Sequence, residues 1–153
     1  LGLWINPSGE NCPATPPDSR NEPSLNQVER YLKQAHECIR DGRFVVLDGD
    51  PEDESNTRNK NRRFMMTYGL TDVNRQKRFL LSVDPQDFCH IKYTNDGREL
   101  YVFCVERELQ RPLCAPEKIA VYVKHDFKPG VSKRNIIVSL HPIEHSIYLP
   151  FRD

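Results

Sequence analysis

Residues Lys118 to His141 read Lys-Ile-Ala-Val-Tyr-Val-Lys-His-Asp-Phe-Lys-Pro-Gly-Val-Ser-Lys-Arg-Asn-Ile-Ile-Val-Ser-Leu-His. Two apolar alternating runs meet at a basic loop with Pro129-Gly130 at its tip, which predicts a β-hairpin. Side chains alternate across a strand, so Ile119, Val121 and Val123 share one face and Ala120, Tyr122 and Lys124 the other. In the second run Ile136, Val138 and Leu140 form the apolar side, with Ile137, Ser139 and His141 opposite. A phenol, an ammonium and an imidazole then project from one side of one sheet. The plainer alternative is the solvated face that many antiparallel sheets keep.

Upstream of the hairpin, Leu100 to Val105 is apolar on both faces and reads as an interior strand. It follows Phe88-Cys89-His90-Ile91-Lys92-Tyr93 and a turn at Asn95-Asp96-Gly97. Helical patterns dominate before that. Ser24 offers an N-cap, and Leu25, Val28, Leu32, Ala35 and Ile39 recur at helical spacing before Gly42. A second amphipathic helix runs from Asn56 to Gly69, and a short third, capped by Thr71, turns Val73, Phe79 and Leu80 inward. Phe44 to Leu47 and Ile147 to Leu149 add short strands, and Asp48 to Glu54 forms an acidic loop. Helices followed by antiparallel strands predict an α+β domain: N-terminal helices on one face of a mainly antiparallel twisted sheet, the other face open to a partner.

The chain of 153 residues suits one domain with a modest core. Pro7, Pro13, Pro16, Pro17 and Pro23 lie among small and acidic residues, so residues 1–23 are expected to be a disordered leader and 24–153 a single domain. Leu1 to Ile5 is too short for a signal peptide, and no run approaches a membrane span. The five cysteines are scattered without a Cys-x-x-Cys pair; Cys89 and Cys104 read as small core residues in a reducing cytoplasm.

The zero net charge hides a split. Residues 1–55 carry five Lys/Arg against eleven Asp/Glu, or −6; residues 56–153 carry seventeen against eleven, or +6. Arg58, Lys60, Arg62, Arg63, Arg75, Lys77 and Arg78 face only Asp72 in the helical stretch, a local excess suited to an anionic partner or simply a solvated face.

Three phrases carry a family likeness: Asn59-Lys60-Asn61 with Tyr68-Gly69-Leu70-Thr71; Ser82-Val83-Asp84-Pro85-Gln86-Asp87-Phe88; and Val121-Tyr122-Val123-Lys124 followed by Val138-Ser139-Leu140-His141. Over residues 25–149 the chain resembles the motility quorum-sensing regulator (MqsR) toxins, within the RelE-like endoribonucleases. The resemblance implies a RelE-like sheet and a toxin that cleaves mRNA without a metal or other cofactor, inhibiting translation and growth. It also implies a cognate antitoxin, zinc-binding with a DNA-binding domain, and a cytoplasmic location. The family's functional tyrosine falls on Tyr122 and the lysine of that strand on Lys124; a basic last-strand position falls on His141, and a family lysine after the Asp-Phe phrase on His90. A family glutamine meets Val102, and Leu140 stands for the usual aromatic, departures that bear on substrate preference.

These residue types suit the chemistry. An imidazole exchanges protons near neutrality, an ammonium stabilises a phosphorane, and a phenol hydrogen-bonds phosphate or stacks on a base. Lys92, Arg98, Arg62, Arg63, Arg75 and Arg78 are the expected RNA contacts. His36 is expected on an exposed helix flank and His125 on the core side of its strand. A rival motif, His141-Pro142-Ile143-Glu144-His145, matches an inverted zinc-protease pattern but lies on a strand-like run. No metal ligand is therefore assigned. The alternative reading is a non-catalytic nucleic-acid or protein-binding module on the same scaffold.

Overall fold

Ser24 and Gln27 close the first helix reciprocally: the Gln27 N–H donates to the Ser24 hydroxyl at 3.2 Å, and the Ser24 N–H donates to the Gln27 side chain at 2.7 Å. In a computed structural model, which describes residues 2–7, 22–49 and 56–152, this helix is α1 (Leu25–Arg40). It buries Val28, Tyr31, Leu32, Ala35, Cys38 and Ile39, and His36 with them. The expected exposed His36 is thus a core residue, because the packed stripe is broad enough to include the neighbour of Ala35.

Two further helices follow, α2 (Thr57–Thr67) and α3 (Val73–Leu81). Asn56 caps α2, and Gly69 turns the chain afterwards with φ +71°, a conformation glycine adopts without strain. Asp72, not Thr71, caps α3, its carboxylate accepting from the Asn74 N–H.

The strands are β1 (Leu3–Ile5), β2 (Phe44–Val46), β3 (Phe88–Tyr93), β4 (Glu99–Leu109), β5 (Glu117–Asp126), β6 (Asn135–Pro142) and β7 (Ile147–Leu149). Five form one sheet in the order β2-β6-β5-β4-β3; β2 runs parallel to β6 and every other pairing is antiparallel. The fold is α+β, with three α-helices among the described residues and this mainly antiparallel mixed sheet. One apolar core joins Val28, Leu32, Ile39, Phe64 and Leu80 of the helices to Phe103, Val121, Val123 and Leu140 of the sheet.

The second face of the sheet is not fully open. β1 pairs with β7 in a separate two-stranded sheet, Leu3 opposite Leu149, and Ile5, Ile143 and Leu149 pack with Cys89, Val102 and Cys104. Residues 3–5 of the expected leader are therefore ordered structure, since Leu3, Trp4 and Ile5 supply a strand edge and an apolar side chain that β7 can use. Residues 1 and 8–21 of that leader, and 50–54 of the acidic loop, lie outside the described residues.

Simple alternation also fails at two places among the described residues. In β3, Phe88 pairs with Phe103 but His90 with Val102, so Cys89 is an extra residue there. The second place is in β6. Lys124 pairs with Ser139 but His125 with Ile137, so β6 carries one extra residue, Val138. The bulge turns Ile137 into the helix-side core, where alternation alone had put it with Ser139 and His141. Among the described residues no helix is long and apolar enough to cross a membrane.

Candidate functional site

The register builds the site as two adjacent cross-strand rows. Cys104, Tyr122 and His141 face one another across β4, β5 and β6; His90, Val102, Lys124 and Ser139 form the next row across β3 to β6. Both rows lie on the face away from the helices, because the alternate residues Phe103, Val123 and Leu140 are in the helix-side core. Tyr122 and His141 stack with ring centroids 5.5 Å apart and planes 18° from parallel. The Lys124 ammonium lies 5.4 Å from the Tyr122 ring centroid. The expected phenol, ammonium and imidazole therefore converge.

Burial sets their proton chemistry. Lys124 and His141 are each only 8% exposed. Burial, reinforced by the like charge of Lys92, pulls the Lys124 ammonium down to about 8. Burial also lowers His141, against the opposing pull of the Pro142 carbonyl and Glu144. Its Nδ1 lies 2.8 Å from the Pro142 carbonyl oxygen; that acceptor requires Nδ1 to carry hydrogen, which leaves Nε2 as the basic nitrogen of the neutral ring. His90 is lowered by burial and then by Lys124 and Lys92, so these three basic groups share one neighbourhood. Tyr122 is pushed up to about 12, chiefly by burial, and stays a neutral phenol.

The Tyr122–His141 end opens toward α2. His141, Pro142, Ile143 and Glu144 form one wall of a cleft of about 500 Å³ whose other wall is Lys60, Arg63, Phe64, Thr67 and Tyr68. Lys60 bonds both Glu144 oxygens, at 2.8 and 3.0 Å. Asn61 fastens the two walls together: its carboxamide donates to the carbonyls of Leu47 and Val138 and accepts from the Leu140 N–H.

Of the expected RNA contacts, Arg63 lines that cleft and Lys92 stands beside Lys124. The others lie apart. Arg62 pairs with Asp48 at 2.9 Å, Arg75 bonds the Gly69 carbonyl, and Arg78 is exposed on α3. Arg98 pairs with Asp96 and Asp126 at the rim of a separate cleft of about 1190 Å³ that includes Tyr31 and Tyr101. Sequence reasoning places Lys60 in the basic run and Glu144 in the zinc-protease pattern, but misses their pairing and the positioning role of Asn61. The local signal for Lys60 and Asn61 is the polar Asn59-Lys60-Asn61 run inside an amphipathic helix, and Glu144 has none that points to α2.

Cys89 and Cys104 are buried, with thiols raised by desolvation, Cys104 to about 12, so neither is a ready nucleophile. Among the described residues no three His, Cys, Asp or Glu side chains converge as a metal-binding group. The His141 to His145 run leaves β6 as strand and bend, so its histidines do not share a helical face.

Compared with protein-family models, curated proteins and solved structures, the chain matches none.

Proposed function

We propose that this protein is a metal-independent endoribonuclease that cleaves mRNA, on a sheet of RelE-like type, and that it acts as the toxin of a toxin–antitoxin pair. The observation that carries the reading is the stacked Tyr122–His141 pair with Lys124 over the phenol ring and Lys92 and His90 beside it. Cleavage of RNA by its own 2′-hydroxyl needs a base, a cation at the phosphorane and an acid for the 5′-oxygen, and it consumes no other reactant.

His141, neutral at pH 7, takes the 2′-hydroxyl proton at Nε2 as the oxygen attacks phosphorus. Lys124, poised near 8, stabilises the phosphorane charge and delivers a proton to the departing 5′-oxygen as the P–O bond breaks. The products are a 2′,3′-cyclic phosphate and a 5′-hydroxyl. Tyr122 holds the imidazole plane and donates its phenol hydrogen to a non-bridging oxygen. Lys92 and Arg63 receive the flanking phosphates, and the family likeness supplies the antitoxin as the expected protein partner.

The near-closure of Lys124 and His141 favours one second reading, a binding module that keeps the scaffold without turnover. One experiment separates the two. Purified protein incubated with a short RNA in chelator gives 2′,3′-cyclic phosphate ends under the first reading and intact RNA under the second.

A further inference from the structure

The cleft between α2 and the β6–β7 connection is joined to the Tyr122–Lys124 group by a single shared side chain, His141. Its floor is apolar and partly aromatic: Phe64 and Tyr68 sit 5.2 Å apart, with Ile143 and Pro142 across from them. Two cations, Lys60 and Arg63, stand at its margin, and its polar reader is the Glu144 carboxylate. At about 500 Å³ the cleft falls within the range of about 300–1,000 Å³ typical of small-ligand sites.

From this we infer a nucleobase subsite that selects an amino-bearing base next to the phosphate held by Lys124; the inference rests on the RNA-cleavage reading. A planar base fits an aromatic and aliphatic slot because every base offers a π-face whatever its sequence. Cations at the margin suit the phosphate that a base in this slot brings with it. Ring stacking alone does not discriminate, so selection falls to Glu144. Lys60 fixes that carboxylate from one side, and an ionised carboxylate has about four acceptor positions, so two bonds from Lys60 leave it able to accept more. It has no hydrogen to donate. The exocyclic amino groups of adenine, cytosine and guanine satisfy it, whereas uracil has carbonyl oxygens in place of amino groups, and its one base donor, N3–H, is flanked by two carbonyl oxygens that repel a carboxylate.

The test uses four 2′-O-methyl tetranucleotides, each of a single base, which bind but cannot be cut. In the parent protein the uracil tetramer binds about tenfold more weakly than the other three, the loss expected for one charge-assisted hydrogen bond. The amino-bearing tetramers shift the NMR signals of Thr67 and Tyr68. Glu144→Gln, a change at a half-exposed side chain, brings the four affinities to within about threefold, because an amide donates as well as accepts. Equal affinities in the parent, or discrimination that survives Glu144→Gln, overturn the subsite. Unmodified RNA left intact in chelator, with base discrimination retained, overturns the cleavage reading and leaves the subsite standing.

Discussion

The Leu140 N–H donates to the Asn61 side-chain oxygen at 2.7 Å, and the same carboxamide donates to the Val138 carbonyl at 2.9 Å. β2 reaches only as far as Ile137 along β6, so beyond it the strand edge would be bare. Asn61 substitutes for the missing strand with one side chain and holds α2 against that edge. The polarity of the edge is satisfied, and the wall that faces His141 is fixed.

Replacing this fully buried Asn61 with alanine leaves three backbone groups without partners. Each unmet buried group costs about 1–3 kcal/mol, with relaxation and water recovering part, so Asn61→Ala loses about 2–4 kcal/mol. Urea unfolding checks this as a lower midpoint at constant slope. An unchanged midpoint means that the edge is satisfied some other way.

A second expectation concerns acid. His125 is fully buried against Phe103, its Nδ1 2.9 Å from the Asn135 amide nitrogen, and burial lowers its pKa from 6.5 to about 3. Between those values the unfolded chain binds a proton that the folded chain refuses. Stability is therefore intact above 6.5 and falls as pH drops toward 3, by about 1.4 kcal/mol per pH unit for this group. His36, also lowered by burial, adds in the same direction. His125→Leu is expected to start less stable at neutral pH and to lose that part of the slope, which denaturant unfolding at a series of pH values measures.

The helices were legible because their cues are local. Ser24 just before Leu25, and Gly69 after an amphipathic run, each lie within a few residues of what they control. The Tyr122–Lys124–His141 grouping was legible through strand alternation, which holds along β5. Val138 could not be read as a bulge, because a bulge depends on what lies across the strand. The same is true of Leu3 to Ile5, whose partner is β7, at the other end of the chain. The parts that Asn61 and Glu144 play stayed hidden for a related reason: each acts on groups about eighty residues away in sequence.

Proton exchange at the site gives a third expectation. His141→Gln should lower the cleavage rate about 10²- to 10⁴-fold, and the residual activity should lack the acidic limb that protonation of His141 imposes. Because burial lowers His141, that limb lies below the ordinary histidine value. Rates against pH on a short RNA in chelator, with circular dichroism as a folding control, measure both. A parental rate and profile would remove His141 from the chemistry and make His90 the next base to test.

The scattered arginines give a fourth. Arg75 and Arg78 lie on α3, away from the Tyr122 face, whereas Arg63 and Lys92 flank the proposed path. Arg63→Gln with Lys92→Gln should weaken binding of a non-cleavable RNA and reduce its salt slope by about 0.7 for each phosphate that is no longer neutralised. Arg75→Gln with Arg78→Gln should leave both nearly unchanged. The opposite ranking would move the RNA path to the helices.

The last expectation isolates the two lysines. Burial is the larger cause of the depressed Lys124 pKa and the neighbouring Lys92 charge the smaller, so Lys92→Gln should raise it only part of the way from about 8 toward 10.5. Lys92 is exposed at the edge strand, and its loss leaves the core intact. Two readouts follow from the same shift. In the parent, folding excludes a proton from Lys124 between about 8 and 10.5, so stability rises with pH across that window; in Lys92→Gln the rise is smaller. If Lys124 delivers the proton to the 5′-oxygen, the alkaline limb of the cleavage profile must move upward with its pKa. NMR titration of the Lys124 side-chain nitrogen gives the pKa directly. A raised pKa with an unmoved alkaline limb would show that Lys124 stabilises charge without transferring a proton, and an unmoved pKa would show that the two ammonium groups do not interact.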